Sequence, residues 1–180
     1  MTNISISFLS EEAVSPELKQ QIDALDHLAF AGDDIDDDPE FSSIQWASHD
    51  WMALGFLDGE LVTQLCLPKR EITVGPEKIC VAGIGGMATH PYHQHKGYGS
   101  TLLRATESFI RDEIRVPFGL LICADPTRPF YELARWQHVA DVLYYRQENK
   151  KLILHTSVMI LKLNDQQWPA GEIDLCGSPW

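Results

Sequence analysis

Residues 87–103 read MATHPYHQHKGYGSTLL and set three histidines, His90, His93 and His95, ahead of two glycines, Gly97 and Gly99. Three chemistries compete for such a stretch. Zinc takes three or four ligands in a tetrahedral array. The pattern H-x-x-H-x-H has no cysteine or acid beside it to complete one, so no metal is assigned. A Walker loop needs G-x-x-x-x-G-K-[ST], and the lysine–hydroxyl pair is missing. A dinucleotide fingerprint needs a third glycine, and Leu102 stands in its place. What remains is Gln94-x-x-Gly97-x-Gly99 between an apolar strand and a helix. The first amides of a helix have no partner inside it. Together with the helix dipole they make an anion site, and glycines let a pyrophosphate come close. A plain glycine-rich turn gives the same reading from these residues alone.

The elements that must position this loop follow from hydrophobic spacing. Ile4, Ile6 and Phe8 alternate as in a half-buried strand. A helix follows in SPELKQQIDALDHLAF, with Ser15 as its cap and Pro16 at its first position. The run AGDDIDDDPEF, with five aspartates and one glutamate, reads as a solvated loop or a loop around a short helix. Asp58-Gly59 predicts a hairpin turn between two apolar runs. Gly85 and Gly86 inside the next strand predict a bulge or a close backbone approach. YGSTLLRATESFIRDEI is helical, with Leu102, Leu103, Thr106, Phe109 and Ile110 on one face. PFGLLICAD is a strand covered on both faces. TRPFYELARW is a short helix that Asp125 or Thr127 would cap. VADVLYYRQ and HTSVMILKLN close the sheet. This order gives an α/β or α+β fold, a mixed sheet between helix layers, in one domain over residues 1–180.

The 180 residues suffice for a core without disulfides or metals. Cys66, Cys80, Cys123 and Cys176 are widely spaced, and reduced thiols point to a cytoplasmic compartment. No apolar run is long enough for a membrane span, and the N-terminus lacks the pattern of a secretory signal. A net charge of −12 argues against a nucleic-acid backbone partner and favours encounter with cationic small molecules.

The strand GIGGMAT, then Pro91, then Gln94-His95-Lys96-Gly97-Tyr98-Gly99, resembles the acyl-CoA signature of the GNAT superfamily of N-acetyltransferases. A second family pattern, a helix reading Leu/Phe-Tyr-x-x-x-Gly-Phe/Trp, is matched by PFYELARWQHV, where Arg135 replaces the glycine. The resemblance covers roughly residues 50 to 163. It implies a mixed central sheet of six to seven strands flanked by helices on both faces, and acetyl-CoA as cosubstrate. It also implies that amides from His95 through Lys96, Gly97, Tyr98 and Gly99 to Ser100 hold the CoA pyrophosphate. Gln94 opens the signature. Main-chain groups of Met87, Ala88 and Thr89 would pair with the pantetheine arm.

The implied reaction is acetyl transfer to a primary amine. Tyr131 matches the tyrosine that faces the CoA sulfur in the family, and its ordinary pKa of about 10 suits a proton donor to a thiolate. No acid lies on the strand before the loop, so the base is open among water, His49, Asp50, His90 and the terminal carboxylate of Trp180. Asp33, Asp34 and Asp36 fall where the fold borders its acceptor cleft. With Glu172 and Asp174 they would give an anionic mouth for an aminosugar or polyamine. The tail GEIDLCGSPW resembles the end of aminoglycoside 2′-N-acetyltransferases, with Ser178 where those carry an acid, and makes Trp180 a candidate substrate contact. Two other readings are a GNAT-fold CoA-binding protein without turnover and an enzyme acting on a protein or peptide amine. A homodimer is compatible with the sequence.

Overall fold

In the computed structural model of this chain the described residues are 4–31 and 39–180. Asp33, Asp34 and Asp36 lie outside them. The first strand, β1 (Ser5–Ser10), leads into α1 (Pro16–Ala29), whose Ser15 Oγ accepts a bond from the Leu18 amide at 3.2 Å. A short α2 (Pro39–Ser42) precedes β2 (Trp51–Leu57) and β3 (Glu60–Leu67). The hairpin between these strands turns on Asp58 and Gly59, both at positive φ, 50° and 88°, which is the primed-turn geometry that matches strand twist.

Strand β4 (Lys69–Val74) continues β3 past Pro68, and both pair with one long strand, β5 (Glu77–Thr89). The proline interrupts the count only formally, since its carbonyl still accepts the Gly83 amide at 2.7 Å. The expected bulge is present: Cys66 faces Gly85 while Gln64 faces Ala88, three steps along β5 against two along β3. Gly86 takes the positive φ, 54°, that this needs. Helix α3 (Tyr98–Phe109) follows, and a π turn (Ile110–Ile114) ends it. Strand β6 (Phe118–Cys123) then runs parallel to β5, and α4 (Arg128–Glu132) comes next. Neither proposed cap forms at α4: Thr127 Oγ1 donates back to the Ala124 carbonyl, and Asp125 bonds the Ser157 hydroxyl.

The remaining strands are β7 (Gln137–Val139), β8 (Leu143–Gln147), β9 (Lys150–Ile153), β10 (Ser157–Lys162) and β11 (Ile173–Asp174). All eleven join one mixed sheet. The count exceeds the six to seven expected; Pro68 divides one strand, and β7 and β11 are three and two residues long.

Helix α3, the π turn after it and α4 cover one face through Leu102, Leu103, Ile110 and Tyr131, packed on Leu65, Leu67, Ile84 and Leu121. Each such aliphatic side chain taken out of water contributes about 1.5–3 kcal/mol. The other face holds α1 over β3 and, lower down, the C-terminal tail, with Trp180 among Ile72, Val81, Leu120 and Leu175. Two indoles grip the sheet from opposite sides. A Cβ on Gly119 would meet the Trp136 ring at 2.7 Å, and Gly83 leaves no room for a Cβ beneath the Trp180 ring. Ala82 pairs with Gly119 and Gly83 with Leu120, so the indoles sit on adjacent rungs.

Candidate active site

The pairing of β5 with β6 stops at Ile84–Leu121. Beyond it β5 stays with β3 as far as Thr63–Thr89, while β6 continues along β10 to Cys123–Ser157. The strands part, and residues 85–89 present an open backbone edge to the gap. Met87, Ala88 and Thr89, expected to meet the pantetheine arm, lie on this edge.

The loop that closes the top of the gap is built for an anion. His90 Nδ1 accepts the Tyr92 amide at 3.2 Å, Pro91 opens a short 3-10 turn, and Gln94 Nε2 donates to the Thr89 carbonyl at 3.2 Å. His95 and Gly97 are left-handed, at φ 59° and 83°. Gly97 is the N-cap of α3 and offers no side chain to its amides. Among the described residues, none of the amides of His95, Lys96, Gly97, Tyr98, Gly99 and Ser100 has a hydrogen-bond acceptor. Thr101 is the first to close a bond, to the Gly97 carbonyl at 3.0 Å. Nothing lies within 4 Å of a Cβ built on Gly97, so that side of the loop is open. Six uncommitted donors at a helix start fit a pyrophosphate. Gly99 is tight on its inner side, where a Cβ would approach Met87 Cε at 3.0 Å and Thr89 Oγ1 at 3.1 Å.

Phe130, the neighbour of Tyr131 on α4, reaches the start of α3, with its Cζ 3.7 Å from a Cβ built on Gly99. The Tyr131 ring packs against Phe130 and Trp136, and the residue is 8% exposed. Among the described residues its hydroxyl has no hydrogen-bond partner. Burial, reinforced by the nearby Cys123, raises its pKa well above the usual phenol value. A buried phenol of this kind stays protonated and is a donor, not a base.

The remaining candidates are scattered. Asp50 Oδ2 accepts the Lys69 amide at 2.6 Å and is committed to the β3–β4 junction. His49 lines a hollow of about 330 Å³ with Ser10, Glu11, Glu12 and Trp51, at the far end of β2 and β3 from the loop. Asp174 is buried against Arg146 at 2.8 Å and Lys151 at 3.6 Å, which removes it from an anionic mouth. The Trp180 indole is 6% exposed and belongs to the core, with its Nε1 donating to the Leu120 carbonyl at 3.3 Å. Only the main-chain end of Trp180 comes near the gap, where its carbonyl carbon would lie 2.8 Å from a Cβ on Gly85.

Sequence reasoning passed over a group on the α1 face of the bulge. Gln64 Nε2 donates to the Ile22 carbonyl at 3.2 Å and to Asp26 Oδ1 at 3.4 Å. Cys66 Sγ is 3.1 Å from a Cβ built on Gly85. Burial, with a smaller contribution from the Asp26 charge and against a bond from the Gly85 backbone, pushes the Cys66 thiol up to about 11. No local signal marks these residues, because they meet only through the packing of α1 on β3.

Residues 12–139 match the acetyltransferase (GNAT) domain family, and the chain belongs to that family and is an N-acetyltransferase. The match ends before the tail, so the likeness to aminoglycoside 2′-N-acetyltransferases is not carried by it. The fold is similar to that of the GNAT family N-acetyltransferase YhbS from Escherichia coli, solved in complex with CoA. That comparison gives a TM-score of 0.66 at 16% identity over 98% of this chain and 91% of the other. It is also similar to Escherichia coli ElaA, at TM-score 0.62 and 15% identity over 87% of this chain and 97% of that one. A GNAT family acetyltransferase from Brucella melitensis, solved with acetyl-CoA, gives 0.55 and 14% over 94% of both chains. No curated protein sequence matches the chain.

Proposed function

We propose that this chain, as one domain over residues 1–180, moves the acetyl group of acetyl-CoA onto a primary amine of a small cationic acceptor, an aminoglycoside-like aminosugar or a polyamine. The observation that carries the reading is the row of six uncommitted amides, residues 95–100, beside the open edge of β5. In this reading those amides hold the pyrophosphate, and the main chain of Met87, Ala88 and Thr89 pairs with the pantetheine arm. An open backbone N–H on that edge polarises the thioester carbonyl. Tyr131 delivers its proton to the departing thiolate. Burial raises its pKa and keeps the phenol protonated at neutral pH. Asp33, Asp34 and Asp36, with the main-chain end of Trp180, border the acceptor.

The amine must enter neutral, and an amine of pKa about 10 is neutral in only about one part in a thousand at pH 7. The stretch of β5 leading to the loop, residues 78–89, has no acid to assist, which favours a second reading: a protein that holds CoA without turnover. Calorimetry with CoA and a thiol-release assay over a panel of small amines and peptides separate the readings. Heat with thiol release supports transfer, and release with peptides alone moves the acceptor to a protein. Heat without release supports the holder, and no heat sinks both.

A further inference from the structure

We infer that Asp26 on α1 is the anchor for the acceptor's ammonium group, held in position by Gln64. This deepens the proposed function and rests on it. Asp26 stands at the exposed edge of α1 on the same face of the sheet as Cys66, Gly83 and Gly85. One carboxylate oxygen takes the Gln64 amide at 3.4 Å, and Gln64 is fixed in turn by the Ile22 carbonyl at 3.2 Å. Among the described residues no Lys, Arg or His pairs with Asp26, although Asp23, one turn earlier, has Lys19 at 3.6 Å. Asp26 is exposed, and partial desolvation of its carboxylate, opposed by the Gln64 bond and helped by the Asp23 charge, raises its pKa.

Gln64 shows the same shortage from the other side. It is 2% exposed, and its Oε1 is buried without a partner while its Nε2 serves Asp26 and α1. A buried amide committed to one carboxylate is arranged to aim it, not to neutralise it. The bulge is reached through Gln64: Cys66 follows two residues along β3 on the same side, its Sγ touches the Gly85 position, and Gly86 beside that is exposed. The chemistry that satisfies the group is a protonated primary amine, whose three N–H donors match a free carboxylate oxygen. Such an ammonium, seated at the bulge, lies next to the open edge where the thioester is expected. The acid-free stretch of β5 at the bulge thus receives a carboxylate from the helix laid across it, and Asp26 takes the ammonium's proton as the nitrogen attacks, so that the amine reacts in its neutral form.

The test is steady-state thiol release with spermidine and with glucosamine as acceptors, at saturating acetyl-CoA, beside calorimetric CoA binding and thermal melts. Asp26→Asn should raise KM for both amines about tenfold or more, with the CoA dissociation constant and the melting temperature unchanged. Asp26→Glu should recover most of that loss, and Gln64→Met should raise KM by a smaller factor with little change in kcat. An unchanged amine KM in Asp26→Asn, with the wild type active, overturns the anchor and leaves the acetyltransferase reading intact. An equal loss of CoA affinity in that variant also overturns it. If the wild type releases no thiol with either amine, the small-amine reading fails and the anchor falls with it.

Discussion

Arg135 reaches back from the end of α4 to place its Nη2 at 3.2 Å from Glu107 Oε2 on α3. Arg135 holds φ 68°, and Glu107 is 5% exposed. The residue that stands where the family carries glycine therefore accepts a strained backbone and supplies a cation to a buried acid.

Those two effects oppose each other. Arg135→Ala keeps the strain and loses the cation, and should cost roughly 1–2 kcal/mol. Arg135→Gly loses the cation but relieves the strain, and should be more stable than Arg135→Ala by about 1 kcal/mol. The Arg135 side chain is 82% exposed, which keeps the pair's own contribution small. Denaturant unfolding of the three proteins checks the order. Equal stabilities for the Ala and Gly variants would mean that the positive φ carries no strain.

Tyr131→Phe removes the hydroxyl that has no partner among the described residues. Turnover should fall about a hundredfold while CoA affinity holds within twofold, because general-acid loss acts on the chemical step. Thiol-release kinetics and calorimetry read the two quantities separately. Unchanged kcat would assign Tyr131 to packing.

Two buried groups couple stability to alkaline pH. The Cys66 thiol rises from its usual 9.0 to about 11, and the Tyr131 phenol rises further. Each binds its proton more tightly in the folded chain than in the unfolded one. Their contribution is therefore complete below the unfolded pKa and is lost as pH climbs through the folded one. Unfolding free energy should drop by about 2 kcal/mol for Cys66 between pH 9 and 11. Cys66→Ala should flatten that part of the curve. Disulfide reagents at pH 8 should label exposed Cys176 well before Cys66.

Gly99→Val places a side chain against Met87 Cε and Thr89 Oγ1, already 3.0 and 3.1 Å from a bare Cβ. The start of α3 must shift, and CoA affinity should fall at least tenfold, as calorimetry would show. Gly83→Ala acts elsewhere: it unseats the Trp180 indole and should cost about 3 kcal/mol with overpacking strain.

Local rules reached the parts of this molecule that are encoded locally. Gly59, Gly86 and Gly97 hold a positive φ that side chains disfavour, and Gly85 and Gly99 sit where a Cβ would crowd a neighbour, so their types announce them. Tyr131 was legible only through the family pattern around it. Asp26 and Gln64 were not legible, since 38 residues separate them and an ordinary amphipathic helix position gives no sign of what lies across from it. The seating of the tail was not legible either: Arg70, donating to the Ser178 carbonyl at 2.6 Å, and Ala47, donating to the Pro179 carbonyl at 2.7 Å, fasten it and put the Trp180 indole in the core.

The paired indoles at Gly83 and Gly119 have a mechanical consequence. Neighbouring strands that carry a ring on opposite sides cannot shear past one another unless one ring is levered from its seat. The fork between β5 and β6 therefore begins at a fixed rung, Ile84–Leu121. A visiting molecule meets a wedge whose hinge point was set when the polypeptide folded.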